Sequence, residues 1–174
     1  SVSHDDPVRT SYSQNRMWLL AQMDGAAAAY HMSATYYLHG QLDVEALKLA
    51  FGEIVARHGS LRTKYQVVDG VLMQHVNKLQ SDVSILKVIM RTTAAETEIA
   101  LSENVEKTFD LANDILLRAV LVDVDGKSYR LQVTVHHIAC DGWSMAVLTR
   151  ELNELYKAFA AGGEAPTLAD VMVQ

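Results

Sequence analysis

An α/β fold, with helices packed on a mixed β-sheet, is predicted by three features of the sequence. Apolar and polar residues alternate in several stretches, as Leu131, Val133 and Val135 do against Gln132, Thr134 and His136, which is the period of a β-strand. Elsewhere apolar residues recur at the spacing of one helix face, as in Leu47, Ala50, Phe51, Ile54 and Val55, and again in Leu148, Leu152, Leu155 and Phe159. Asp-Gly pairs at 69–70 and 125–126 separate adjacent strand-like runs as tight turns. Helices mixed with mostly paired strands bury their apolar faces as layers.

Each element has its own local reason. Residues 1–10 are polar and are expected to fray. Ser11 and Gln14 stand at capping-box spacing, opening a short helix to about Met23 that Asp24-Gly25 stops. Residues 26–29 are small and open to either a loop or a helical turn. A strand is read over 32–38, where Thr35, Tyr36 and Tyr37 favour extended backbone, and His39-Gly40 ends it. Asp43 is a suitable N-cap for a helix ending near His58-Gly59. Residues 61–68 and 71–76 read as a hairpin through Asp69-Gly70, and 83–89 as a further strand. Thr93 and Glu96 form a second capping box, for a helix to about Thr108 predicted to present Ala95, Ile99, Ser102 and Val105 on one face. Residues 115–124 read as a strand, which Asp125-Gly126 turns back into the strand carrying His136. Gly162-Gly163 ends the last helix. No internal repeat or linker is visible.

Bulk properties narrow the function. The 174 residues suit one domain, and 49% hydrophobic against 21% charged residues with 2 prolines argues for a folded unit. A formal charge of −6, from 15 basic and 21 acidic residues, disfavours nucleic acid as a partner. The single cysteine, Cys140, cannot form an internal disulfide, which fits a reducing compartment. Neither a spanning apolar run nor a signal peptide is present, so no membrane is implied and the chain reads as cytoplasmic.

The chemistry concentrates in 131–144. The strand delivers His136 and His137 to its end, and if the alternation persists His137 shares the side of the apolar set while His136 faces away. Asp141-Gly142 then breaks the chain before the last helix. His137 is either a proton-transfer group near neutral pH or a core histidine bonded to a backbone carbonyl. His136 reads as a packing or loop-holding residue. Asp141 is open between orienting His137 as the third member of a triad and capping the helix beyond. Gly142 lets the backbone approach a substrate or take a positive φ, and amides at that helix start are candidates to face an oxyanion. A metal site from His136, His137 and Asp141 is poorly supported, because adjacent strand residues diverge and further ligands at a recognisable spacing are missing. Cys140 reads as a small packing residue and Ser144 as structural. Arg57 and His58 end a helix, where cations face its dipole.

Four stretches of the sequence carry a family resemblance. His136-His137-x-x-x-Asp141-Gly142, continuing into Trp143-Ser144, resembles the HHxxxDG signature of condensation domains of nonribosomal peptide synthetases. The stretch from Ser11 through Gln14, Arg16 and Trp18 to Leu20 resembles their opening pattern SxAQxRLWxL, and Arg57-His58-Gly59-Ser60-Leu61-Arg62-Thr63-Lys64-Tyr65 resembles RHExLRTxF. The segment from Phe109-Asp110-Leu111 to Leu121 resembles FDL...LLRAxL. The resemblance implies a chloramphenicol-acetyltransferase-like lobe. It implies that residues 1–174 are the N-terminal lobe of a two-lobed domain whose second lobe is absent from this chain, so that the lobe alone is inactive.

The implied activity is amide bond formation between a donor acyl or peptidyl thioester and the amine of an acceptor aminoacyl thioester. Both would ride on phosphopantetheine of carrier proteins, with no cofactor in this chain. The implied partners are the second lobe, the donor and acceptor carrier proteins and neighbouring synthetase domains. His137 is the implied catalytic residue, as base or positioning group, and Gly142 could contribute through its backbone. His136, Asp141 and Arg62 are implied to be structural, with an Asp141–Arg62 salt bridge bracing the turn. Departures from the family pattern are Gly59 for Glu, Ala139-Cys140 in the signature, and Tyr30-His31-Met32-Ser33 in place of a YNxP-like segment. The intact signature argues against heterocyclisation, and Trp143-Ser144 against epimerisation. Two alternatives stand beside this reading: a non-catalytic relative that recruits partner proteins, and a coenzyme A-dependent acyltransferase.

Overall fold

A computed structural model describes residues 7–23, 27–78, 84–90 and 93–168. In chain order the elements are β1 (Val8–Arg9), α1 (Tyr12–Ala21), β2 (His31–His39), α2 (Val44–Arg57), β3 (Thr63–Val68), β4 (Val71–Val76), β5 (Leu86–Met90), α3 (Ala94–Glu106), β6 (Leu117–Asp123), β7 (Ser128–His136) and α4 (Gly142–Ala160). The larger sheet has the order β2-β7-β6-β5 and the smaller sheet the order β1-β4-β3. Short 3₁₀ turns at Ala27–Tyr30 and Gly59–Arg62 precede β2 and β3. β5 runs parallel to β6 while β2, β7 and β6 are antiparallel, so the larger sheet is mixed as the sequence predicts.

Apolar residues of α2 and α4 cover one face of this sheet. Leu47, Phe51 and Ile54 from α2 and Leu148 and Leu155 from α4 meet Leu117, Leu121, Val133 and Val135 in the largest core. A second core joins the smaller sheet to α1: Tyr65 and Leu72 pack with Phe109, Leu111, Leu116 and Ile138, and Met17 and Trp18 close it from the helix. Gln14 serves both levels of structure. It completes the capping box with Ser11, and its Nε2 donates to Gln74 Oε1 at 3.0 Å and to the Tyr65 hydroxyl at 3.5 Å, joining α1 to β3 and β4. The hairpin turn falls at Asp69-Gly70, with φ of 50° and 76°, the left-handed pair that a tight two-residue turn demands.

Several boundaries and faces differ from expectation. Val8–Arg9 pairs with Gln74 and Met73 of β4, so that part of the start is held by ladder bonds. Leu61 and Arg62 belong to a 3₁₀ turn, leaving the strand to begin at Thr63. On α3 the buried residues are Thr97, Leu101 and Asn104, while Ile99 is exposed. The reason lies opposite: α3 covers the Gln132–Thr134–His136 side of β7, and Asn104 Nδ2 donates to Gln132 Oε1 and Thr134 Oγ1, both at 3.0 Å. β7 is thus buried on both faces from Leu131 to His136, although such alternation ordinarily marks a strand with one buried face. Its alternation separates an apolar core from a hydrogen-bonded polar one, since buried polar groups are tolerated when mutually satisfied. The first residue of the 83–89 strand and the Asp24-Gly25 stop lie outside the described residues.

Candidate active site

The end of β7 sets the site. His136 is the last strand residue; its N–H donates to Leu116 O at 3.1 Å, and its side chain is 2% exposed. The chain then leaves the sheet in a turn, so the alternation does not carry through to His137, which is exposed instead of lying with the apolar set. His137 keeps one strand-like bond, its N–H donating to Tyr30 O at 2.8 Å just before β2. The neighbours therefore have opposite environments, one ring sealed in and the other presented.

His136 is held neutral. Burial first, and then His31, His137 and Arg118, push its imidazole down to about 4. Its Nδ1 accepts from the Ile138 N–H at 3.1 Å, which puts the ring proton on Nε2 and staples the His136–Ile138 turn. Edge-to-face contacts join His136, Phe109 and His31 at centroid distances of 5.1 to 6.0 Å, and Arg118 lies 3.9 Å over the Phe109 ring. Arg118 also donates to the Asn104, Lys107 and Thr108 carbonyls at the end of α3.

Asp141 is the N-cap of α4. It is exposed, and its Oδ1 accepts from the Ser144 N–H at 2.8 Å and from the Ser144 hydroxyl at 2.7 Å. These bonds, the hydroxyl's first, hold its carboxyl below the usual range. The expected ion pair with Arg62 is not formed. Arg62 donates to the carbonyls of Val55, Ala56 and Asn77 and so clamps the end of α2 to the residue after β4. Three carbonyls satisfy the guanidinium's fork without a carboxylate, and the cap satisfies Asp141 locally.

Gly142 opens α4 with a negative φ, and a Cβ added there would meet nothing within 4 Å. The positive φ entertained for it is not needed. Ser144 and Met145 amides are already spent on Asp141, through Oδ1 and the backbone carbonyl. Trp143 is 81% exposed on the same turn. Cys140 is buried, with burial and Asp141 raising its thiol to about 12, which leaves it a poor nucleophile. Among the described residues no three His, Cys, Asp or Glu side chains converge as a metal set, and no helix is long and apolar enough to cross a membrane.

The sequence reading missed two participants. Glu151, on the inner side of α4, is 5% exposed; His58 Nε2 donates to its Oε2 at 2.6 Å and Arg57 Nε lies 3.4 Å from Oε1, so the imidazole and guanidinium at the end of α2 bind a carboxylate across the helix pair. The available signal was Glu151 falling three residues after Leu148, on the inward stripe. His31, noted only as a departure from a family pattern, sits directly opposite His136 in the β2–β7 register.

The sequence model of the Condensation domain family matches residues 5–172. The chain belongs to the condensation-domain family. Curated relatives of this condensation-domain chain include malpinin synthetase of Mortierella alpina, 38% identical over 170 residues, covering 95% of this chain and 2% of the relative. Another is the isonitrile lipopeptide synthase of Mycobacterium tuberculosis, 38% identical over 166 residues, covering 94% and 7%. Among solved structures, the X-domain in complex with OxyB from teicoplanin biosynthesis superposes with a TM-score of 0.87 at 34% identity, over 100% of this chain and 37% of that one. The first condensation domain of the calcium-dependent antibiotic synthetase, in complex with a substrate analogue, gives a TM-score of 0.83 at 21% identity, over 95% and 41%. The fold is accordingly a chloramphenicol-acetyltransferase-like lobe, and the chain spans only a small part of the curated relatives and about two fifths of the solved chains.

Proposed function

We propose that residues 1–174 form the N-terminal lobe of a condensation domain that, with a second lobe, joins a donor acyl or peptidyl thioester to the amine of an acceptor aminoacyl thioester. The observation that carries this is the contrast at the end of β7: His136 is buried and neutral while His137, one residue on, is exposed with its backbone tied to Tyr30. Both substrates would be delivered on the phosphopantetheine of carrier proteins. The acceptor nitrogen attacks the thioester carbonyl, the C–N bond forms, and the C–S bond breaks to release the donor thiolate. The proton lost by the amine ends on that thiolate, and the imidazole of His137, exposed at the turn, is the group that would relay it. Gly142 leaves the surface beside this turn without a side chain, which suits close approach of a substrate.

The test is a condensation assay on a protein containing both lobes, with loaded donor and acceptor carriers and product read by mass spectrometry. Product that depends on His137 supports the reading; equal product from His137→Ala overturns its catalytic role. The likeness to the teicoplanin X-domain, found in complex with OxyB, favours a second reading in which the fold recruits a partner protein. No amide product from the wild-type two-lobed protein, with saturable binding of a partner enzyme, would favour recruitment. Acyl transfer from coenzyme A without any carrier would favour the remaining acyltransferase alternative.

A further inference from the structure

We propose that His31 is a positioning residue for His137, fixing the end of β2 from which Tyr30 holds the His137 backbone. The inference rests on the reading of His137 above. Four contacts carry it. The His31 Nδ1 lies 2.6 Å from Val105 O, and because a carbonyl only accepts, Nδ1 bears the proton and ties β2 to α3. The His31 ring meets His136 edge-on at 5.8 Å and Phe109 at 5.1 Å, so the same side chain buttresses the ring that staples the His136–Ile138 turn. The preceding residue, Tyr30, supplies the carbonyl that accepts the His137 N–H at 2.8 Å.

The orientation of His31 has a cost. With the proton on Nδ1, its Nε2 is a bare acceptor, buried and without a hydrogen-bond partner, a loss that burial imposes on any orphaned polar atom. Desolvation, and more weakly Arg118, also lower the basicity of the ring, against the opposing Val105 bond. The site thus keeps a neutral, half-satisfied imidazole where an apolar residue would pack without penalty. What the imidazole adds is the directional bond to α3. Two adjacent backbone positions then act together: His31 anchors to the helix, and Tyr30 anchors His137.

Two substitutions separate the bond from the ring. In His31→Phe the ring contacts persist and the Nδ1–H is lost; in His31→Asn a side-chain N–H at the same distance from the backbone is retained and the ring is lost. The readout is amide hydrogen exchange in the 174-residue chain, comparing His137 with Val133, a buried residue of the same strand. The expected result is that His31→Phe speeds exchange at His137 by about tenfold relative to Val133, the effect of one lost hydrogen bond on a local opening, while His31→Asn stays near wild type. Unchanged exchange at His137 in His31→Phe, or equal acceleration at both amides, would overturn the proposal. In the two-lobed protein the same His31→Phe change should lower kcat by roughly tenfold with KM for loaded carriers nearly unchanged, because a displaced catalytic group costs rate rather than binding. Full activity of His137→Ala would remove the functional reading alone, since the exchange comparison still judges the His31 contact.

Discussion

Asp141 accepts both the backbone N–H and the hydroxyl of Ser144, at 2.8 and 2.7 Å, and this pairing makes the aspartate of the HHxxxDG signature a helix cap. A cap and a buried ion pair predict different losses. Asp141→Ala should lower Tm by only about 2–4 °C, the usual effect of a missing N-cap in a domain of this size, and Asp141→Asn should lower it less. Arg62→Ala strips charged donors from the Val55, Ala56 and Asn77 carbonyls and should cost roughly 1.5–3 kcal/mol. Thermal melts of the single and double variants check this. Losses that add indicate independent sites, and strong non-additivity would restore the coupling between Asp141 and Arg62.

The elements were legible because their signals are local. Capping boxes at Ser11 and Thr93, the N-cap at Asp43 and the Asp69-Gly70 turn form as their spacing predicts, and the α2 stripe from Leu47 to Val55 is buried. What stayed hidden depends on residues distant in the chain. The inward face of α3 is set by Gln132 and Thr134, which reward Asn104 and leave Ile99 outside. No helical periodicity in 94–106 contains that information. The site was half legible for the same reason: the signature singled out His136 and His137, but the roles of Arg62 and Glu151 follow from which carbonyls and cations the tertiary fold brings to them.

Glu151 carries the second prediction. Its carboxylate is sealed between α2 and α4 with the His58 imidazole at 2.6 Å and the Arg57 guanidinium at 3.4 Å. Glu151→Ala should destabilise the lobe by about 3–5 kcal/mol, because the half-buried Arg57 and His58 facing this buried position lose their acceptor in a medium that solvates them poorly. Denaturant melts measure the loss, and a change below about 1 kcal/mol, the range of exposed pairs, would contradict a buried brace.

Stability should also depend on pH through His136. Its folded value of about 4 lies below the ordinary value of about 6.5, so between these limits the unfolded chain binds more protons than the folded one. The contribution is fully present above pH 6.5 and is lost as pH falls toward 4, by at most about 3 kcal/mol at 1.36 kcal/mol per unit. His31, also lowered, acts in the same direction. Denaturant midpoints at pH 7.5 and 4.5 should therefore differ more for wild type than for His136→Asn, and equal differences would contradict the buried neutral ring.

The last prediction separates chemistry from structure at the turn itself. His137 is exposed and its hydrogen bond to Tyr30 is made by the backbone, so His137→Ala should melt close to wild type. In a protein with both lobes the same change should lower the rate of amide formation by roughly 10²- to 10⁴-fold, the span of a positioned acid–base group. Gly142→Ala provides the companion measurement. Its added Cβ meets no protein atom within 4 Å, and alanine is the better helix former, so the fold should tolerate it. A drop in kcat/KM for loaded carriers without a drop in Tm would show that the bare backbone at 142 is reserved for substrate. An unchanged rate would confine Gly142 to the helix start and leave His137 as the site's chemical contributor. A fall below tenfold in His137→Ala at saturating carriers would instead assign most of the rate to bringing amine and thioester together, for which effective molarities are large enough to account.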